Sequence, residues 1–247
     1  MNTFHFSVDD VLPALISITD KNIPLIAHPF FKELRWIYDS YGVKTGLNLF
    51  GSHIIDGKLR YLKEVRTLSE ELKDDWLYFA PHALNFDTPP YSQNTQDQLA
   101  MVNSIVTEID RISNGNRSSS LRFHHYSECY EIADDLIQLG FNEIFLTDKK
   151  VASHRLPSQQ RELILKNGSI FYNNIKMTRT NYRVENLAND KNTDKDLINS
   201  FSRTLKKYSR IVIYSHEYEH VREELNTMLR NALRILVEEL DLKPESP

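Results

Sequence analysis

The sequence predicts an α/β protein whose parallel strands close into a barrel. Apolar runs of strand length alternate with stretches of helical spacing along the chain, about seven times over. A length of 247 residues suits one α/β barrel. No internal repeat, low-complexity tract or linker interrupts the pattern, so residues 1–247 read as a single domain.

Residues 3–8 alternate apolar and polar side chains and read as a half-buried first strand. Residues 28–41 follow with helical spacing at Phe31, Leu34, Ile37 and Tyr38, stopped by Gly42. Residues 43–50 are the second strand, 69–73 a short helix and 76–81 the third strand. An amphipathic helix over 96–112 ends at Asn114-Gly115-Asn116. The fourth strand covers 121–123, a helix capped by Gly140 covers 129–139, and the fifth strand covers 143–147. Residues 156–181 are ambiguous, because Asn167-Gly168 can turn a hairpin or end a short helix. A sixth strand over 177–184, a helix over 194–207, a seventh strand over 210–214 and a closing helix over 218–240 complete the order.

Composition removes several function classes. A net charge of −4 gives no overall attraction to nucleic acid or an anionic membrane. Cys129 is the only cysteine, which excludes an internal disulfide and a multi-cysteine metal site. No apolar run approaches the roughly 20 residues of a membrane span. Asp9 and Asp10 come too early for a leader sequence. The expectation is a soluble, cytoplasmic protein.

In an α/β barrel the loops after the strands converge at one end, where the active site lies. Asp9 and Asp10 follow the first strand, and His82 follows the third. The fourth carries Arg122, His124, His125 and Tyr126; Asp148 follows the fifth; Arg183 and Glu185 end the sixth; His216 and Glu217 end the seventh. Singly, each has an ordinary explanation, such as a helix cap for an Asp. Together they form an Asp/His set suited to Zn²⁺ or another divalent ion. Such an ion lowers the pKa of its water and polarises a carbonyl. A second carboxylate and a separate His can then move the protons of amide or ester hydrolysis.

These residues also carry a resemblance. FSVDDV at residues 6–11 resembles the T-F-D-D-G first motif of polysaccharide deacetylases, the NodB-homology group of carbohydrate esterase family four. RFHHY at 122–126 resembles their R-x-P-x-Y motif, and the strand ending at His216 resembles their late L-x-x-H strand. The resemblance implies a distorted (β/α)7 barrel. It implies Asp9 as catalytic base, Asp10 as metal ligand, Arg122 as the residue orienting Asp9 and His216 as catalytic acid. It departs at the H-[ST]-x-x-H metal motif: His82 opens HALNF and Phe86 fills the second His position. His124 stands where the family has Pro, and is the expected replacement ligand, with His125 as the alternative. Val11 replaces the Gly of the first motif.

The implied metal set is Asp10, His82 and His124 around a divalent ion, with Zn²⁺ expected. Asp148 is expected to hold or tune His216. Tyr126, Arg183 and Glu185 are expected to meet the substrate, or Arg183 and Glu185 to pair with each other. Phe86, Tyr91 or Trp36 could stack on sugar rings, although Trp36 suits core packing better. HEY after the last strand and T-x-x-R-V-E at 180–185 resemble the divergent WbmS-like branch, associated with O-antigen and other surface-polysaccharide biosynthesis. The substrate implied is an acetylated sugar or polysaccharide precursor.

Two other readings compete. HEYEH at 216–220 matches H-E-x-x-H, which in zinc peptidases sets two His on one helical face; Glu238 or Glu239 could supply a third ligand. Against it, RIVIY before His216 is strand-like and Glu219 sets a charge beside the second His. Alternatively, with one metal His replaced, the barrel is a non-catalytic sugar-binding module.

Overall fold

The computed structural model describes residues 2–247. Its staves are β1 Thr3–Asp9, β2 Thr45–Phe50, β3 Leu77–Ala83, β4 Ser120–Leu121, β5 Glu143–Leu146, β6 Ile175–Arg179 and β7 Arg210–His216. Parallel ladders join β7, β1, β2 and β3 in that order, and β4, β5 and β6 likewise. A bridge from Phe79 to Arg117 links β3 toward β4. Tyr182–Arg183 extends the sixth stave and pairs with β7, so the ring returns to β1. This is the expected distorted (β/α)7 barrel in a single domain, built as two sheets.

The helices are α1 Leu12–Asp20, α2 Pro29–Tyr41, α3 Thr95–Ser113, α4 Ala133–Gln138, α5 Ser158–Asn167, α6 Val184–Asn189, α7 Asp194–Tyr208 and α8 Glu223–Arg234. Each turns an apolar stripe to the core; on α3 the stripe is Met101, Val102, Ile105, Val106, Ile109 and Ile112. Gly42 and Gly168 take the left-handed conformation that closes α2 and α5.

β1 is buried on both faces, which corrects the half-buried reading. Phe4, Phe6 and Val8 join the hydrophobic core, while His5, Ser7 and Asp9 are the alternate set. The lumen therefore holds polar groups that satisfy one another, Ser7 and Asp9 both meeting Arg122. Period two looked like one wet face because the second face is polar yet dry.

Other boundaries also differ. α1 and the hairpin of Ser52–Ile55 with Lys58–Tyr61 were not anticipated, although Asp56-Gly57, both at positive φ, is an ordinary hairpin turn. In the ambiguous stretch both structures occur: Asn167-Gly168 ends α5, and Ser169–Tyr172 then pairs antiparallel with β6. The helix expected over 129–139 starts irregularly, with Cys129 left-handed and a single 3-10 turn before α4. The sixth strand stops at Arg183 because the chain enters α6 at once. The closing helix begins only at Glu223, since Glu217–Val221 forms a 3-10 turn across the barrel rim. Trp36 is 43% exposed on α2 beneath the Arg230 guanidinium, not in the core.

Candidate metal centre

At the C-terminal ends of the staves lies a cavity of about 230 Å³. Asp9 and Asp10 from the end of β1, His82 from β3, Arg122 and His124 after β4, Arg183, and His216 from β7 all line it.

Arg122 is the hub. Its side chain is 1% exposed and its Nη1 donates to Asp9 Oδ1 and to Ser7 Oγ, each at 3.0 Å. The guanidinium lies 4.1 Å from the Tyr214 ring centroid, a contact that suits a desolvated cation. Asn48 Nδ2 also donates to Asp9 Oδ1, at 2.7 Å, while Asn48 Oδ1 accepts from the Arg122 backbone N–H at 3.2 Å. Both side-chain bonds to Asp9 fall on Oδ1, and Oδ2 has no protein partner.

Asp10, His82 and His124 form a buried group whose ligand atoms lie within 4.8 Å of one another. His82 Nε2 is 3.3 Å from Asp10 Oδ1 and 3.2 Å from His124 Nδ1. Each His is turned by a carbonyl behind it. His82 Nδ1 donates to the Arg122 carbonyl at 2.5 Å, and His124 Nε2 to the Phe86 carbonyl at 3.1 Å. With those nitrogens protonated, the lone pairs of His82 Nε2 and His124 Nδ1 converge with the Asp10 carboxylate. Asp10 Oδ1 is buried without a hydrogen-bond partner, an orphan of the kind a cation satisfies. These three residues fit a divalent ion and can bind one.

Local backbone makes the group possible. Asp10 sits at φ 67°, a left-handed conformation at the position after which Val11 stands in place of Gly. A register shift at Leu49/Phe50 between β2 and β3 re-aims Phe50, whose ring packs edge-on against His82 and His124 at 5.1 and 5.0 Å. His125, at φ 52°, is exposed at the edge of the cavity, its ring tilted against that of His124 with centroids 4.1 Å apart, and lies outside the ligand group.

The charges are interdependent. Burial alone would raise the Asp10 pKa, but the facing His82 and the other histidine charges around it hold it below the usual range. Burial would lower His82, yet the facing Asp10 carboxylate and the charge of Asp9 raise it. His124 is pushed down to about 4 by burial and by the His82 charge. Glu217, half-buried nearby, is raised to about 7 by burial and then by the Asp10 charge.

On the opposite wall Glu185 Oε1 accepts from the His216 backbone N–H at 2.7 Å and from its Nδ1 at 3.0 Å. Glu185, not Asp148, therefore holds His216. Asp148 accepts from the Tyr126 hydroxyl at 3.4 Å instead. The exchange arises because α6 begins immediately after Arg183 and sets Glu185 on its first turn, against the end of β7. Arg183 and Glu185 do not pair: Arg183 donates to the hydroxyls of Tyr214 and Tyr126. Phe86 lines the cavity, and Tyr91 lines a neighbouring cavity of about 360 Å³.

HEYEH does not form a peptidase helix. His216 ends a strand, while His220 is buried with Nε2 on Ser215 Oγ and Nδ1 on Asn226 Oδ1, each at 2.8 Å. Asn48 and Tyr214 were not singled out for the site from sequence; Asn48 lies inside a plain strand, and only its bond to Asp9 in the barrel gives it meaning.

A distorted α/β barrel with an Asp-His-His cluster at the C-terminal ends of its strands is thus the class of molecule seen. No family model matches the chain, and no curated protein matches it by sequence. Solved structures do. The chain is similar to a Mycobacterium smegmatis protein proposed to be a polysaccharide deacetylase, with a TM-score of 0.58 and 10% identity over 98% of this chain and 86% of that one. It is similar to the polysaccharide deacetylase Bc1974 from Bacillus cereus, with a TM-score of 0.51 and 10% identity over 99% and 92%. It is also similar to the 4-alpha-glucanotransferase from Thermococcus litoralis, with a TM-score of 0.59 and 13% identity over 99% of this chain. The chain spans only 37% of that glucanotransferase's length. At such identities the likeness establishes the fold.

Proposed function

We propose that the chain is a metal-dependent hydrolase that removes an N-acetyl or O-acetyl group from a sugar in a surface-polysaccharide precursor. The observation that carries this reading is one cavity holding a convergent Asp10-His82-His124 group, a carboxylate on Arg122 and a histidine on Glu185. The sequence resemblance to the WbmS-like branch supports O-antigen or related biosynthesis as the setting. Zn²⁺ is the proposed ion, since two imidazoles and one carboxylate suit it.

When bound by Asp10, His82 and His124, a divalent ion supplies Lewis acidity at the acetyl carbonyl and acidifies a water. Asp9 takes the proton of the attacking water at Oδ2, while Arg122 and Asn48 fix its other oxygen. His216 keeps Nδ1–H on Glu185 and presents Nε2 to protonate the departing nitrogen or oxygen. Tyr126, Phe86 and Tyr218 wall the cavity and exclude water from the reacting face.

Glucan transfer is the weaker reading. Glycoside chemistry needs two carboxylates placed on either side of a sugar, and here Asp9 and Asp10 are consecutive residues at one strand end, with Asp10 turned to His82. The test is metal content together with acetate release from acetylated amino-sugar oligomers and nucleotide-linked acetamido sugars. Wild type should bind one ion and release acetate, and Asp9→Asn should keep the ion and lose turnover. A protein that binds sugars without releasing acetate, with or without metal, would be the sugar-binding module instead.

A further inference from the structure

Arg183 stands in the catalytic cavity without a counter-ion. The other two arginines packed into the barrel interior each have one: Arg122 meets Asp9, and Arg210 meets Glu143 and Glu245. Arg183 has no carboxylate at salt-bridge distance among the described residues. Glu185 is committed to His216, and Asp148 reaches Tyr126 rather than the guanidinium. Its Nε donates to the Tyr214 hydroxyl and its Nη2 to the Tyr126 hydroxyl at 2.7 Å, so the side chain is fixed. Among the described residues Nη1 has no hydrogen-bond partner, and Arg183 lines the cavity.

A part-buried cation without a partner is costly, and phenol hydroxyls offset only part of that cost. Arg183 pairs in register with Tyr214, two residues before His216, so its charge sits beside the reacting end of the cavity. We propose that Arg183, held in place by the hydroxyls of Tyr126 and Tyr214, docks a carboxylate of the substrate on its remaining guanidinium edge, which makes the sugar an acidic one such as a hexuronic acid. This assignment of substrate rests on the deacetylase reading. The cavity of about 230 Å³ is smaller than the roughly 300–1,000 Å³ of sites for drug-sized ligands, which suits a single sugar unit. A monoanion fits better than a phosphate dianion, because one guanidinium edge faces it and Asp9 and Asp10 line the same cavity.

The test measures binding of glucuronate, glucose and glucose 6-phosphate to zinc-loaded protein by calorimetry, for wild type, Arg183→Met and Arg183→Lys. Thermal unfolding of each variant checks that it is folded. Wild type should bind glucuronate about tenfold or more tightly than glucose. That ratio should collapse in Arg183→Met and return in part in Arg183→Lys. Equal binding of glucuronate and glucose overturns the proposal. So does a preference that survives Arg183→Met, since the carboxylate would then sit elsewhere, on the metal included. Tighter binding of glucose 6-phosphate than of glucuronate overturns it in favour of a phosphorylated sugar. In parallel, acetate release from an N-acetylhexosamine is compared with that from the matching N-acetylhexosaminuronate. Release from neither, with the Arg183-dependent preference intact, refutes the deacetylase reading while supporting the carboxylate site.

Discussion

His124 Nε2 donates to the backbone carbonyl of Phe86 at 3.1 Å. Phe86 occupies the position where the resemblance called for a second metal histidine, and its main chain now steers the histidine that stands in from another loop. His124→Ala should weaken divalent-metal binding by more than the roughly 10- to 100-fold that loss of an outer partner costs. Metal titration followed by elemental analysis checks it. His125→Ala should bind metal as wild type does, because His125 is exposed and outside the group.

Asp9 and Arg122 are a buried pair at 3.0 Å. Asp9→Asn should lower kcat by about 10²- to 10⁴-fold and leave metal binding within a fewfold. Arg122→Met should instead destabilise the fold, since it strands Asp9 in the lumen; breaking such a pair costs about 3–5 kcal/mol. Urea unfolding reads the loss. Combined, Asp9→Asn and Arg122→Met should cost less than the sum of the two, because both remove one contact.

Glu185→Gln keeps an acceptor for the His216 backbone N–H but removes the carboxylate behind its ring. Turnover should fall about 10- to 100-fold with metal content unchanged. Asp148→Asn should have a smaller effect, which separates the two acids that the sequence left exchangeable.

Metal binding should weaken as pH falls. Without an ion His82 carries its proton to higher pH than an ordinary histidine: its burial opposes this, but Asp10 and Asp9 outweigh it. His124, pushed down to about 4, is already neutral. Below the His82 pKa the ion must displace one proton, so apparent affinity should drop about tenfold per pH unit there and level off above it. Competition with a chelator between about pH 5.5 and 8.5 gives the slope. A pH-independent affinity would mean that His82 is not a ligand.

The strand–helix alternation was plain in the sequence because the staves and most of the helices carry their own apolar period, and the grouping of Asp10, His82 and His124 was legible from the strand ends only together with the motif resemblance. What sequence did not reveal depends on partners across the barrel. Asp148 and Glu185 are equivalent in a string of residues; only the abrupt start of α6 at Val184 decides between them. Asn48 looks like an ordinary strand residue until β2 lies beside β1. HEYEH was set aside from sequence because RIVIY is strand-like, and the structure agrees: His216 ends a strand and His220 is spent on Ser215 and Asn226 within the core.

Asp9 and His216 are direct register partners on the β1–β7 ladder. The spacing of Asp9 and His216, the proposed base and acid, is therefore set by main-chain hydrogen bonds between neighbouring strands, whereas His124 comes from a loop. Asp10 and His82 are tied to the same strand frame, so His124 alone of the three stands off it. A substitution confined to residue 124, with Arg122 left on Asp9, could retune the ion while the Asp9–His216 distance stays as the strands dictate.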